Sequence, residues 1–272
     1  MSELETIEAL RDGPNTVSTL AEDFRKAGIR DGMTLLVHSS LSSLGWVCGG
    51  AHAVILALEE VLGEKGNLVM PAHSGDLSDP ADWSNPPVPE SWWDTIRTQM
   101  PAFDPDLTPT RGMGKIAETF RKQAGTFRSG HPLYSFTARG KQKDFILQDS
   151  HYDNAQNDRS PLGRIYGLDA YVLLLGVDYT NNTSFHLAEY RATYPGKETV
   201  SGGFPIIENG VKVWKEFDDI DYHCDDFPVI GEAFEKTGQV AFGNVGLAKT
   251  RVFSQRAAVD FAVKWMEENR SL

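Results

Sequence analysis

Residues 178–191, DYTNNTSFHLAEYR, set one imidazole, His186, at the start of a helix, with Asp178 upstream and Glu189 downstream. A histidine beside carboxylates is suited to general-base work near neutral pH, and equally to a capping hydrogen bond. In VHSSLSSLG (37–45) a strand ends at His38 and runs through Ser39, Ser40, Leu41, Ser42 and Ser43 toward Gly45. Exposed amides and hydroxyls at such a turn can hold a phosphate or an oxyanion. A serine nucleophile competes with that reading, but the G-x-S-x-G elbow is absent, and an ordinary serine-rich turn would look the same. TPTRGMGK (108–115) is a glycine-containing loop entering a helix beside Arg111 and Lys115, which suits an anionic cofactor. It follows neither the dinucleotide nor the P-loop spacing. Two groups of acids stand apart from these: Asp76, Asp79, Asp82, Glu90 and Asp94, then Glu216, Asp218, Asp219, Asp221, Asp225 and Asp226. Lining a cleft they would concentrate cations; spread over a surface they would merely be solvated. No metal is expected. The seven histidines show no H-x-x-x-H pair, and Cys48 and Cys224 lie far apart.

The elements that position these residues are legible in outline. Thr19 to Glu22 reads as a capping box, with Leu20, Phe24 and Ala27 on one helical face and Gly28 as the stop. MTLLVH (33–38) reads as a buried strand. An apolar helix follows through Val54, Leu58, Val61 and Leu62, closed by Gly63 and Gly66, and NLVMP (67–71) is a second strand. Strand, helix and strand make a parallel βαβ unit. Residues 72–112 are rich in Pro, Trp, Asp and Ser, with a short helix at 90–100. Their aromatic density, Trp83, Trp92 and Trp93 included, predicts an ordered binding loop rather than disorder. Beyond it come a helix from Lys115 with Ile116 and Phe120 inward, a strand-like HPLYSFTARG (131–140), and the most apolar strand, AYVLLLGV (170–177). FPIIENGVKVWKEF carries an Asn-Gly turn between two β-like runs and predicts a hairpin. A last helix spans 254–268, with Ala258, Phe261 and Trp265 on one face. Strands and helices alternating in this way predict one layered α/β domain over 1–272.

Composition bounds the function. The chain has 272 residues, 40% apolar and 24% charged, which is ordinary for a globular protein. A formal net charge of -12 argues against nucleic acid and anionic membrane as partners and permits a cationic small molecule. No apolar run approaches the ~18 residues of a membrane span. The acidic, polar start lacks the blocks of a secretory signal. Two separated cysteines read as free thiols, so the expected location is the cytoplasm.

Six segments together carry a more specific signal: LVHSSLSSLGWVCGG, LSDPADWSNPPVPESWWDTIRTQMPAFDP, TPTRGMGKIAETFR, SGHPLYSF, SPLGRIY and LLLGVDYTNNTSFHLAEYR. In this order, through essentially the whole chain, they resemble the aminoglycoside 3-N-acetyltransferase family, the YokD-like antibiotic N-acetyltransferases included. The resemblance implies a layered α/β/α sandwich with a mixed, partly parallel sheet, distinct from the GNAT acetyltransferase fold. It implies transfer of acetyl from acetyl-CoA to the 3-amino group of a 2-deoxystreptamine antibiotic, conferring resistance. Acetyl-CoA would be held by His38, Ser39, Ser40, Leu41, Arg111, Gly112, Met113, Gly114, Ser135 and Phe136. His186 matches the family's catalytic base, and its orienting carboxylate is expected in WKEFDDID, as Asp219, with Glu216 and Asp221 as alternatives. Asp76, Asp79, Glu90, Asp178 and Glu189 are the expected contacts to substrate ammonium groups. The expected mechanism is direct transfer in a ternary complex, with amides or hydroxyls near Ser39 and Ser40 facing the oxyanion. A monomer or homodimer is expected. Rival readings keep the same residues: a family member acting on another amine metabolite, a Ser/His hydrolase using Ser39 or Ser40, or a binder of cationic sugars without chemistry.

Overall fold

The computed structural model describes residues 3–10, 13–148 and 151–271. Among the described residues the strands are β1 (Thr34–Ser39), β2 (Asn67–Pro71), β3 (Phe127–Arg128), β4 (Phe136–Gly140), β5 (Tyr171–Leu175), β6 (Thr199–Glu208), β7 (Val211–Ile220), β8 (Ala241–Val245) and β9 (Ala248–Ser254). The α-helices among them are α1 (Glu3–Ala9), α2 (Val17–Lys26), α3 (Gly50–Leu62), α4 (Trp93–Gln99), α5 (Gly114–Arg121), α6 (Lys143–Leu147), α7 (Pro161–Gly167), α8 (Ser184–Arg191), α9 (Phe227–Glu235) and α10 (Gln255–Asn269). Seven strands form one sheet in the order β3-β4-β2-β1-β5-β9-β8, and β6 pairs with β7 as a separate hairpin. The central strands β2, β1 and β5 are parallel, while β4 and β9 flank them antiparallel. This is the layered α/β arrangement with a mixed sheet that the resemblance implies.

Side chains two residues apart on a strand share a face, and that period sorts the core into two layers. Leu35, Val37, Leu68, Met70, Leu173 and Leu175 pack on one face with residues of α2, α3 and α5. Leu36, Val69, Val172 and Leu174 face the other way, against residues of α7 to α10. A third, smaller core lies under the hairpin, where Leu77 and Leu133 meet Phe204, Ile206 and Phe217, with Met100 and Phe103 packed beside them. The 72–112 segment is tied to the hairpin there: Phe103 N–H donates to the Pro205 carbonyl at 2.9 Å, and Lys212 Nζ donates to the Met100 carbonyl at 2.9 Å. The hairpin closes through Asn209 and Gly210, at φ 51° and 79°, the left-handed pair that a two-residue turn requires.

Three local expectations shift. The capping box of α2 is Thr16 with Thr19, not Thr19 with Glu22. The Thr19 N–H donates to Thr16 Oγ1 at 3.3 Å and the Thr16 N–H to Thr19 Oγ1 at 2.8 Å, so the helix begins earlier. The strand expected over 131–140 is only β4, because His131 Nδ1 accepts from the Leu133 and Tyr134 amides at 3.2 and 3.1 Å and curls the preceding residues into a turn. The β8–β9 pair and the helices α7 and α9 were not anticipated. Their signals are short: Ser160 before Pro161 caps α7, and a proline sits in the first turn of α9.

Candidate active site

The parallel strands β1, β2 and β5 all deliver the chain to one edge of the sheet, where α/β folds place ligands. A one-turn 3-10 helix (Leu41–Leu44) follows β1, the loop with His73 follows β2, and a 3-10 turn (Tyr179–Asn181) leads from β5 into α8. His186 is therefore carried in the first turn of α8, beside the end of β1. Its Nδ1 lies 2.6 Å from Glu189 Oε2, one helical turn on, where residues three apart are neighbours. Glu189 is fully buried, and its Oε1 accepts from the His223 N–H at 3.0 Å and from Arg270 Nη1 at 2.8 Å. Burial pushes this carboxyl up, but the His186 hydrogen bond and charge, then Arg270 and the His223 amide, outweigh it and hold it below the usual carboxylate value. An ionised carboxylate only accepts hydrogen bonds, so Nδ1 carries a proton, and in the neutral ring the lone pair is the one on Nε2. Nε2 points toward Cys224 Sγ at 3.8 Å, and the Tyr222 ring meets the imidazole edge-on with centroids 4.6 Å apart.

Two more histidines surround this group. His38 is buried at the end of β1, with Nε2 3.4 Å from Thr183 Oγ1. His73 packs edge-on against Tyr134 and Phe136, at 5.7 and 5.4 Å. Burial, reinforced by the neighbouring His186, drives each down to about 3, so both stay neutral at physiological pH.

Two cavities flank the site. One of about 430 Å³ is lined by Asp79, Asp82, Asp219, Asp221, Tyr134 and Tyr222, and reaches His186 through the Tyr222 ring. The other, about 900 Å³, is lined by Ser39, Ser40, Leu41, Gly112, Gly114 and Lys115, and is bounded by Val177 and Asn181 on the way into α8. Five of the residues expected around acetyl-CoA thus share one wall, with a lysine beside them.

The remaining expected residues are placed elsewhere. Asp219 does not orient His186. It is buried among Tyr190 Oη, Tyr222 Oη at 3.0 Å, and the Ala155 and Ile220 amides at 3.2 and 2.8 Å, where burial outweighs those bonds and raises its carboxyl. Glu216 is exposed, one residue out of phase with the inward-facing Phe217 and Asp219 on β7, so strand alternation turns it away. Asp221 stays in the acidic cavity, 3.9 Å from His223 Nε2. Glu189, expected to meet substrate, is instead the buried partner of His186, and a sealed carboxylate cannot receive an ammonium group. Asp76 is taken by an ion pair with Arg111, which draws Arg111 off the larger cavity toward Trp83 and Asn85. Asp79 does face the acidic cavity but is clamped by Arg97 through two bonds of 2.9 and 2.7 Å. Glu90 is exposed in a 3-10 turn, and Asp178 is exposed, capping the Thr180 amide at 2.9 Å. Met113 packs against the core beside α5. Ser135 and Phe136 are fully buried. Ser135 Oγ accepts from Arg128 Nε at 2.9 Å and donates to the Ala72 carbonyl at 2.7 Å, tying β4 to the end of β2. His73, Tyr134, Tyr222, Cys224 and Arg270 were not anticipated at the site, and Asp82 only as a member of the first acidic group. Only the His186-x-x-Glu189 spacing was a readable signal for the pairing that forms.

Residues 36–267 match the family model for aminoglycoside 3-N-acetyltransferase. The chain is 49% identical over 259 residues to the SPbeta prophage-derived aminoglycoside N(3')-acetyltransferase-like protein YokD of Bacillus subtilis (strain 168), covering 95% of this chain and 94% of that protein. It is 36% identical over 273 residues to aminoglycoside N(3)-acetyltransferase VII of Streptomyces paromomycinus, covering 94% and 93%. The crystal structure of Bacillus subtilis YokD superposes with a TM-score of 0.95 at 48% identity, covering 98% of each chain. AAC-IIIb in a binary complex with CoASH superposes at 0.85 with 28% identity over 95% and 98%. AAC-VIa bound to sisomicin superposes at 0.86 with 27% identity over 96% and 100%. This chain belongs to the aminoglycoside 3-N-acetyltransferase family.

Proposed function

We propose that this protein transfers acetyl from acetyl-CoA to the 3-amino group of an aminoglycoside, with His186 as general base and no acyl-enzyme. The observation that carries the reading is the Glu189–His186 pair, whose imidazole packs on Tyr222 of the acidic cavity and stands beside the end of β1, where Ser39 begins the serine- and glycine-lined cavity. A polycationic sugar suits Asp79, Asp82, Asp219 and Asp221, and the phosphates and pantetheine of acetyl-CoA suit the larger cavity with Lys115. The substrate amine gives a proton to Nε2 and attacks the thioester carbonyl. The tetrahedral oxyanion collapses, the C–S bond breaks, and the CoA thiolate leaves and takes the proton from His186. The Ser40 amide is committed to the Leu175 carbonyl at 2.9 Å, so any help that Ser40 gives the oxyanion is assigned to its hydroxyl, which lies 3.1 Å from Ser42 Oγ. The chain is read as one domain in which the 72–112 loop forms a wall of the substrate cavity. Free Cys48 and Cys224 and a soluble co-substrate fit a cytoplasmic monomer or homodimer.

The test is CoA-thiol release from acetyl-CoA across a varied panel of aminoglycosides. Release with one or more drugs and none without them is expected; silence across the panel would move the substrate to another amine. His186→Ala should lower turnover by about 10²–10⁴ while the fold is retained.

One contact favours a second reading. Cys224 Sγ, 3.8 Å from Nε2, sits where a thiol nucleophile would, and could accept the acetyl group before the amine does. Against it, burial and then the Glu189 charge push the Cys224 thiol up to about 11, away from thiolate. Intact mass after incubation with acetyl-CoA alone separates the two. An acetyl adduct that Cys224→Ala abolishes would establish the acyl-enzyme; direct transfer predicts no adduct and an active Cys224→Ala.

A further inference from the structure

Arg270 follows α10 and lies beyond residue 267, where the family match ends. Its side chain is only 9% exposed, and its guanidinium makes four hydrogen bonds. Nη1 donates to Glu189 Oε1 at 2.8 Å. Nε and Nη2 grip the two oxygens of Asp226 at 2.7 and 2.8 Å, and Nη2 also donates to the His223 carbonyl at 2.7 Å. The plane sits over the Tyr194 ring, 4.8 Å from its centroid. The fork therefore joins two pieces of the site. Behind the imidazole is the Glu189 carboxylate on Nδ1. In front of it is the turn 222–226, which places the Tyr222 ring and the Cys224 sulfur around Nε2. Lys197, which also feels the Glu189 charge, donates to the Tyr190 and Ala192 carbonyls at 2.8 and 3.1 Å and cannot replace it.

We propose that Arg270 is a positioning residue for acetyl transfer: it locks Glu189 and the 222–226 turn together and so fixes the direction in which His186 Nε2 faces the substrate amine. The proposal rests on His186 acting as the base. A planar five-donor fork suits this role, since the three N–H groups of an ammonium cannot make all four of these bonds. The acetyl-CoA cavity has none of these residues in its walls, so its occupancy should not depend on Arg270.

The test is steady-state kinetics of Arg270→Ala with acetyl-CoA and whichever drug the wild-type protein turns over. The kcat is expected to fall about tenfold to a hundredfold, as for a misdirected reacting group, with KM for acetyl-CoA unchanged. Added guanidinium ion should restore part of the loss, which repair of a merely structural defect would not do. An unchanged kcat, or a loss that guanidinium does not touch, overturns the proposal. If Arg270→Ala does not fold, Arg270→Lys decides: a severalfold lower kcat is expected, and a wild-type kcat overturns it. His186→Ala is measured alongside. If it keeps its turnover, the base assignment falls and this proposal with it; if it loses turnover while Arg270→Ala does not, only the role of Arg270 falls.

Discussion

Two carboxylates in this site have similar burial and different tasks, and mutation separates them. Glu189 holds the Nδ1 proton of His186; Asp219 holds two tyrosine hydroxyls and two amides. Replacing Glu189 by Gln removes the charge that stabilises an imidazolium and lets the ring choose the other tautomer. Glu189→Gln should therefore lower kcat by at least about a hundredfold, with little change in KM for acetyl-CoA. Asp219→Asn loosens Tyr222 at the wall of the acidic cavity, together with Tyr190 bonded to it, so its effect should fall mainly on KM for the drug. Steady-state kinetics of the two variants check this, and a larger kcat loss in Asp219→Asn would return the orienting role to Asp219. His186 was legible in the sequence because a polar turn after a buried strand placed it at a helix start. Its partner was legible only as the His186-x-x-Glu189 spacing, because sequence distance does not tell a carboxylate sealed under a helix from one on a hairpin. The four bonds of Arg270 were invisible for the same reason: they join residues 44 to 81 positions apart.

At the scale of elements, the acidic cavity exists because the 72–112 loop and the β6–β7 hairpin share a small core. Asp79 and Asp82 come from the loop, Asp219 and Asp221 from the end of the hairpin. Asp79 is already neutralised by Arg97, so Asp82 and Asp221 carry the unspent charge. Partial desolvation, then the Asp79 charge beside it, raises the Asp82 carboxyl, and the charge of a bound ammonium group would lower it again. Asp82→Asn and Asp221→Asn should each raise KM for an aminoglycoside by about tenfold, equivalent to about 1.4 kcal/mol, and leave KM for acetyl-CoA alone. Equal shifts in both constants would mean that the acids support the fold and not the substrate. The strands β1, β2 and β5 and the hairpin were legible, because apolar runs and an Asn-Gly turn report backbone geometry directly. The edge pair β8–β9 was not: β8 is largely exposed, and AFGNV has neither alternation nor a continuous apolar run. The contraction of the 131–140 strand depended on a histidine side chain capturing two amides, a bond no periodicity announces.

The whole molecule is built so that its chemistry lies where three parallel strands end between two packed layers, and that placement buries histidines. His38, His73 and His131 are all driven by burial well below the ordinary imidazole value, to about 3, about 3 and about 4. A histidine whose folded value is lowered binds its proton more readily in the unfolded chain. Stability is therefore greatest above the ordinary imidazole value, near 6.5, and is lost as pH falls below it. Carboxylates held low by their partners, such as Glu189, act in the same direction but only at more acid pH, below the unfolded carboxylate value. Acidification from about pH 7 to about pH 5.5 should therefore cost about 1 kcal/mol for each of the three imidazoles, roughly 3 kcal/mol together. Urea unfolding at the two pH values measures it, and His131→Asn should remove about a third of the slope by deleting one proton-binding site. His131 is the informative choice because it lies on the small core under the hairpin, among Tyr152, Phe204 and Phe217, away from His186. A stability that stays flat over this interval would mean that the buried rings find proton partners on acidification, and the claim that His38 and His73 stand neutral beside the base would fall with it.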